Sequence, residues 1–287
     1  MTPAPFAYSR ARTVDEALDL IAGGDPSIRV LAGGQSLIPL MKLRLARPER
    51  LVDVGCVPEL RGIRHLPDGS LAIGALTTWA ALLDDPRIHA YGALADAILV
   101  IGDVQVRNRG TIGGSLAHAD PASDIAAPAL SLGLEVVARS AARGERTIAI
   151  DDLFVGPFAT VLEPDEMVIE VRVPAAAAGG ASAYRALPQP ASGYPIAGVA
   201  VTLTRAAASP GSYSSCTVAV TGVGEQPYRA HDIEAAILAG ASIEDTSRTI
   251  AAGQRVASDI HADRDYRAAM ATVMARRAFE AATARLA

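Results

Sequence analysis

The chain has 287 residues, half of them apolar and a fifth charged, with a net charge of −5 and only 4% aromatics. Those figures suit a globular protein with a real core and argue against disorder. They offer neither the basic footprint nor the aromatic platform that nucleic acids require, and no apolar run approaches the ~20 residues that cross a bilayer.

Length alone makes two compact units the default. The opening "MTPAPFAYSRAR" lacks the apolar h-region of a signal peptide, which points to a cytoplasmic chain. Cys56 and Cys216 cannot supply the thiolates of an iron–sulfur cluster or zinc ribbon, and without an export signal no disulfide is expected between them.

"TVDE", Thr13 to Glu16, has the spacing of a capping box, so "ALDLIAG" is expected as a short amphipathic helix closed by Gly23 and Gly24. "IRVLAGG" reads as a buried strand running into a Gly-Gly turn, and "RLVDV" as another short strand. The first 56 residues thus form a small α+β unit. "GSLAIGAL" is a strand and "TTWAALLDD" a helix that Thr77 or Thr78 can cap. "YGALADAILVIGD" is a mostly apolar, buried helix, from which "VQVRNRG" leads into a second Gly-Gly pair inside a polar loop.

Short strands follow in "PALSLGLEVVARS", "TIAIDDLF" and "EMVIEVRVP", with a hairpin turn at "AARGER", and their spacing predicts an antiparallel sheet. The low-complexity stretch Ala175 to Ala183 marks a boundary between domains at 1–176 and 182–287. Beyond it, "YPIAGVAVTLTRA" and "SSCTVAVTGVG" are β-like, and "AHDIEAAILAG" and "RDYRAAMATVMARRAFEAATARL" are helical.

The two Gly-Gly pairs carry the chemistry. "AGGQS", Ala32 to Ser36, and "TIGGS", Thr111 to Ser115, each follow the glycines with a small hydroxyl residue or place one beside it. Glycine permits φ > 0, so such turns can aim successive amides at one anion, and two of them meeting would suit a pyrophosphate. Either pair alone is more commonly a plain surface turn. Neither matches a P-loop or a dinucleotide fingerprint, and "GVGEQP" at Gly222 reads as an ordinary turn, which disfavours a Rossmann site.

"AGGQS" together with "RNRGTIGGSLAHADPASD" resembles the FAD-binding medium subunits of molybdenum hydroxylases, and the similarity runs along essentially the whole chain. That group includes the flavoproteins of carbon monoxide dehydrogenase, quinoline oxidoreductase, nicotine dehydrogenase and xanthine dehydrogenase. The resemblance implies an α+β fold. A vanillyl-alcohol-oxidase-type (PCMH-type) FAD-binding domain of two α+β subdomains, 1–56 and 57–176, would precede a C-terminal antiparallel sheet with helices.

By the same resemblance, Ala32, Gly33, Gly34, Gln35 and Ser36 form one wall of a pyrophosphate site, and Thr111, Ile112, Gly113, Gly114 and Ser115 the other. Asp124 falls where relatives bond the ribityl chain, and His118 where they place a polar residue near the flavin. Leu162 would sit by the adenine and Tyr194 in the segment that shields the isoalloxazine ring. Plainer roles stand beside these: Asp124 as a helix cap, His118 as a loop histidine, Tyr194 as packing, and Arg107 and Arg109 as loop or subunit contacts rather than a phosphate clamp. "YRALPQPASGYPIA", from Tyr184, departs from the family by lacking a lysine, further basic residues and an aspartate, and Arg185 is the candidate replacement cation.

The implied function is electron transfer through FAD from the [2Fe–2S] clusters of a small subunit to an external acceptor. A large molybdopterin subunit would perform the hydroxylation, in a dimer of heterotrimers without membrane insertion. This chain would hold no catalytic acid–base residue and no metal, and would be inactive on substrate alone. A stand-alone FAD oxidase and a scaffold that has lost FAD are the competing readings.

Overall fold

The computed structural model describes residues 2–176, 180–206 and 212–286. Its first unit runs β1 (Ala7–Arg10), α1 (Val14–Ile21), β2 (Ile28–Leu31), α2 (Leu37–Lys42) and β3 (Arg50–Asp53), with parallel strands in the order β1-β3-β2. Thr13 caps α1 by accepting from the Glu16 amide at 3.1 Å. Glu16 reaches back to the Arg12 amide at 2.8 Å, one residue beyond the N-cap amide that a standard capping box would use. Gly23 and Gly24, both at positive φ, turn the chain out of the helix as anticipated. β2 is half-buried rather than buried, because it is an edge strand beside a cleft.

The second unit contains β4 (Ile63–His65), β5 (Leu71–Gly74), α3 (Trp79–Leu83), α4 (Gly92–Val100), α5 (Val104–Arg109), α6 (Ile112–His118) and α7 (Ala126–Leu132). It continues through β6 (Glu135–Ser140), β7 (Gly144–Ala149), α8 (Ile150–Leu153), β8 (Phe154–Gly156), β9 (Ala159–Thr160) and β10 (Glu166–Val173). Strands β4-β5-β10-β6-β7 form the expected antiparallel sheet, with the β6–β7 hairpin closing at Ser140 opposite Gly144. The start of "PALSLGLEVVARS" and the "IDDL" of "TIAIDDLF", both read as strand, are instead the helices α7 and α8. Thr78, not Thr77, caps α3.

Two stretches read as loop are helices. Asp103 caps α5 by accepting from the Val106 amide at 2.8 Å, and Thr111 caps α6 by accepting from Gly114 at 3.2 Å. The second glycine pair therefore lies in the first turn of a helix, not in a polar loop.

The third unit comprises β11 (Gly180–Pro188), β12 (Pro195–Arg205), β13 (Tyr213–Thr221), β14 (Tyr228–Arg229), α9 (His231–Leu238), α10 (Ile243–Ser247) and α11 (Arg264–Arg285). β11 was not anticipated, and it begins inside the low-complexity stretch, of which residues 177–179 lie outside the described residues. The strands pair antiparallel in chain order. α11 presents Ala271, Met274, Ala275, Ala278, Phe279 and Ala282, a 3–4 spacing that lays one small-residue stripe on β11 and β12.

Each unit has its own core, yet Tyr184, Ala200 and Ala219 of the third sheet join the core of the second unit. Asp96 of α4 receives Arg285 at 2.7 and 2.9 Å and Arg185 at 2.7 Å, closing the seam between them. Cys56 is exposed and Cys216 buried, and both are free thiols. No helix among the described residues is long and apolar enough to cross a membrane.

Phe279 is fully buried at the centre of the α11 stripe. Phe279→Ala should cost about 3–5 kcal/mol by removing contacts and leaving a cavity, read as a lower urea midpoint for unfolding of the C-terminal unit.

Candidate functional site

A cleft of about 880 Å³ opens between the first and second units, with the loop before β12 at its rim. That volume suits a ligand of drug or cofactor size. Thirteen of the fourteen expected site residues line it: Ala32 to Ser36, Thr111, Gly113 to Ser115, His118, Asp124, Leu162 and Tyr194. Ile112 does not. Its side chain is wholly buried in the core of the second unit, so it anchors α6 rather than facing the cleft.

The two glycine turns touch. A Cβ on Gly33 would lie 2.0 Å from the Arg109 carbonyl oxygen and 3.0 Å from Gly110 Cα, and one on Gly114 would lie 3.6 Å from Ala32 Cβ. Only glycine lets these backbones approach so closely. Their donors differ, however. Among the described residues the amides of Gly33, Gly34, Gln35 and Ser36 donate to no protein acceptor. In the second turn Ile112 donates to Thr77 at 3.2 Å, Gly113 to Ala75 at 3.0 Å and Gly114 to the Thr111 hydroxyl.

The expected pair of anion nests is thus one nest facing one close-packed helix start. A Cβ on Gly113 would lie 2.5 Å from Ala75 Cβ, so that glycine serves packing. What the second turn gives the cleft is bare backbone and the Ser115 hydroxyl, which lies 3.1 Å from the Ser123 hydroxyl.

Charge in the cleft is sparse. Arg29 is the one lysine or arginine among the described lining residues. Arg107 is not a phosphate clamp: it donates to the carbonyls of Ile101 and Gly102 at 3.0 and 3.2 Å and staples the loop between α4 and α5. Arg109 contributes its carbonyl against Gly33. Arg185 does not replace the absent cation, because it is spent on Asp96 outside the cleft.

Among the described lining acids, Glu166 is the one held in salt bridges. Arg146 grips Glu166 in a two-pronged pair at 2.7 Å, and Glu166 also accepts from the Glu163 amide at 2.9 Å, fixing the turn that carries Leu162.

Asp124 does not cap α7, whose N-cap is Ile125 without a side-chain bond. It accepts instead from the Tyr184 hydroxyl at 2.8 Å. Burial, reinforced by the neighbouring Asp120, pushes its carboxyl up to about 7, against the Tyr184 bond that pulls it down. His118 stacks in a tilted pair with Phe158, ring centroids 5.2 Å apart, and burial lowers its pKa. Tyr194 reaches toward Ser36, and its phenol is pushed up mainly by burial.

Sequence reading missed several lining residues, among them Gly110, Ser123, Phe158 and Thr160. Only Gly110 had a legible signal, as a third glycine immediately before "TIGG".

Two family models match the chain. The FAD binding domain in molybdopterin dehydrogenase covers residues 4–176, and the CO dehydrogenase flavoprotein C-terminal domain covers residues 182–282. The carbon monoxide dehydrogenase medium chain of Hydrogenophaga pseudoflava is 38% identical over 100% of both chains. The 6-hydroxypseudooxynicotine dehydrogenase complex subunit alpha of Paenarthrobacter nicotinovorans is 36% identical over 96% of this chain and 94% of that one. Among solved structures, carbon monoxide dehydrogenase from Hydrogenophaga pseudoflava superposes with a TM-score of 0.93 at 40% identity, covering 100% of both chains. Quinoline 2-oxidoreductase from Pseudomonas putida 86 gives 0.89 at 29% identity, covering 100% of this chain and 99% of that one.

Two outcomes follow from this geometry. Gly33→Ala should destabilise the chain by about 1–3 kcal/mol, because its methyl meets backbone rather than a movable side chain; a lowered melting temperature checks it. Asp124, raised in the fold, binds its proton more tightly folded than unfolded, so its contribution to stability is present at low pH and lost as pH rises through about 7. Without added flavin, Asp124→Asn should therefore raise the melting temperature at pH 8 relative to the parent and change it little near pH 4.

Proposed function

We propose that this chain, which belongs to the family of FAD-binding medium subunits of molybdenum hydroxylases, is the electron-transferring flavoprotein of such a complex. FAD is the cofactor of that family. The residues fit it. Four undirected amides on the wall of a cleft otherwise poor in cations are suited to a pyrophosphate, which needs donors more than it needs counter-ions. When bound, FAD supplies the redox chemistry, and the protein binds, orients and tunes it.

In this reading the Gly33 to Ser36 amides hold the pyrophosphate, with the Ser115 hydroxyl beside them and Gly113 and Gly114 giving close approach. Asp124 accepts from a ribityl hydroxyl, Leu162 packs by the adenine, and His118 and Tyr194 flank the flavin. Residues 1–176 hold the cofactor, and residues 182–287 buttress it and supply the Tyr194 segment. Electrons arrive from a small [2Fe–2S] subunit and leave to an external acceptor, while a large molybdopterin subunit acts on the substrate, in a dimer of heterotrimers. The chain alone turns over no substrate. Its cytoplasmic location belongs to the same proposal.

The observation that carries this reading is the contact between two glycine turns about 80 residues apart, Gly33 against Arg109 and Gly110, on one wall of one cleft.

The purified chain, mixed with FAD and desalted, should retain about one flavin per chain, seen as flavin absorbance that co-elutes with protein. It should show no hydroxylase activity on aromatic substrates or carbon monoxide. A colourless protein would sink the flavin assignment, and sustained turnover without partners would sink the subunit assignment.

A further inference from the structure

We propose that Tyr184 is a positioning residue of the flavin site: its hydroxyl, donated from β11 to Asp124 Oδ1, orients that carboxylate as an acceptor for a ribityl hydroxyl of FAD. This rests on the flavin reading above and adds to it a residue that does not line the cleft.

Tyr184 is 2% exposed, and its hydroxyl lies 2.8 Å from Asp124 Oδ1. Room for it exists only because residue 198 is glycine. A Cβ there would lie 2.2 Å from the Tyr184 hydroxyl. The strand that carries the tyrosine is itself pinned, since its amide donates to Asp96 Oδ2 at 3.1 Å. The loop that carries Asp124 is held from the same sheet: the Thr221 hydroxyl donates to the carbonyls of Pro121 and Ser123, both at 2.9 Å, and the Gly222 amide to Pro121 at 2.9 Å. The loop bearing Asp124 is thus held by β13 and the residue after it, and the strand bearing Tyr184 by α4 of the second unit.

A buried phenol needs an acceptor, and a backbone carbonyl would serve without penalty. Here the acceptor is a buried carboxylate with no cation beside it among the described residues, an expensive choice for stability alone. Asp120 lies within electrostatic reach, His118 faces Asp120, and Tyr194 faces both acids, so no neighbour offers a positive partner while His118 stays neutral. The Tyr184 bond is the one interaction that favours the ionised form. A charged acceptor binds a hydroxyl about twice as strongly as a neutral one. FAD affinity should accordingly fall as pH drops through the range near 7.

The test is the FAD dissociation constant of the full chain, measured by flavin fluorescence between pH 5.5 and 8.5 for the wild type, Tyr184→Phe, Asp124→Asn and the double variant. The wild type should bind more weakly on the acid side. Tyr184→Phe should move the midpoint up by about one pH unit, which is about fivefold weaker binding at pH 7. Asp124→Asn should flatten the profile, and adding Tyr184→Phe to it should change affinity by less than about twofold.

A Tyr184→Phe midpoint equal to the wild type overturns the proposal, as does an equal loss in the Asp124→Asn background. If Tyr184→Phe does not fold, the wild-type profile still decides: a flat one overturns the positioning role. A chain that takes no FAD at any pH refutes the flavin reading itself, an outcome distinct from flat binding.

Discussion

The structure turns on one contact with no side chain in it: Gly33 against the backbone of Arg109 and Gly110. The first turn hangs from the end of a parallel strand, and the second begins a helix fastened to the turn after β5 by the Ile112 and Gly113 amides. Any Cβ at Gly33 would force these apart by more than an ångström, since real carbons do not approach a carbonyl oxygen at 2.0 Å. The entropy lost in ordering four glycines is therefore offset by bringing two remote chain segments to one wall.

How the wall treats charge follows from that choice. Backbone amides cannot be withdrawn or rotated away, so they act as fixed partial charges with no side-chain entropy to lose. With Arg107 and Arg185 both tied to the protein itself, the cleft keeps little positive charge beyond Arg29. The acids on its walls are handled one at a time: Glu166 by Arg146, Asp124 by a neutral phenol. A full ion pair at Asp124 would have lowered its pKa far more than one hydrogen bond does. The site instead holds a carboxyl near the edge of ionisation.

Much of the frame was legible because it rests on local rules. Thr13 and Glu16 announced α1, the 3–4 stripe announced α11, and "AARGER" announced a hairpin. What escaped did so for physical reasons. β11 contains Pro188 and is rich in small residues, so it has no period-2 signature; it is a strand because β12 and α11 bury it. α5 and α6 are too short and too rich in glycine and charge to show a helical period, and their caps Asp103 and Thr111 look like loop residues until the helix exists. The site residues came from a recognised motif rather than from periodicity. Most of that motif lines the cleft, but it could not say that Ile112 faces inward to the core or that the second turn's amides are already bonded.

The third unit has its own sheet and core, yet the cleft is not independent of it. Asp96 of α4 takes Arg185, Arg285 and the Tyr184 amide, all from the C-terminal sheet and helix. Thr221 and Gly222 hold the loop before Asp124, and the loop into β12 carries Tyr194 to the rim opposite Ser36. A buried polar contact of this kind adds little net stability while leaving few alternative arrangements, because each broken bond would strand a group away from water. The seam therefore acts through geometry. It fixes where the Asp124 carboxylate and the Tyr194 ring sit relative to glycine turns built by the other two units, so all three cores must pack before the cleft takes its shape.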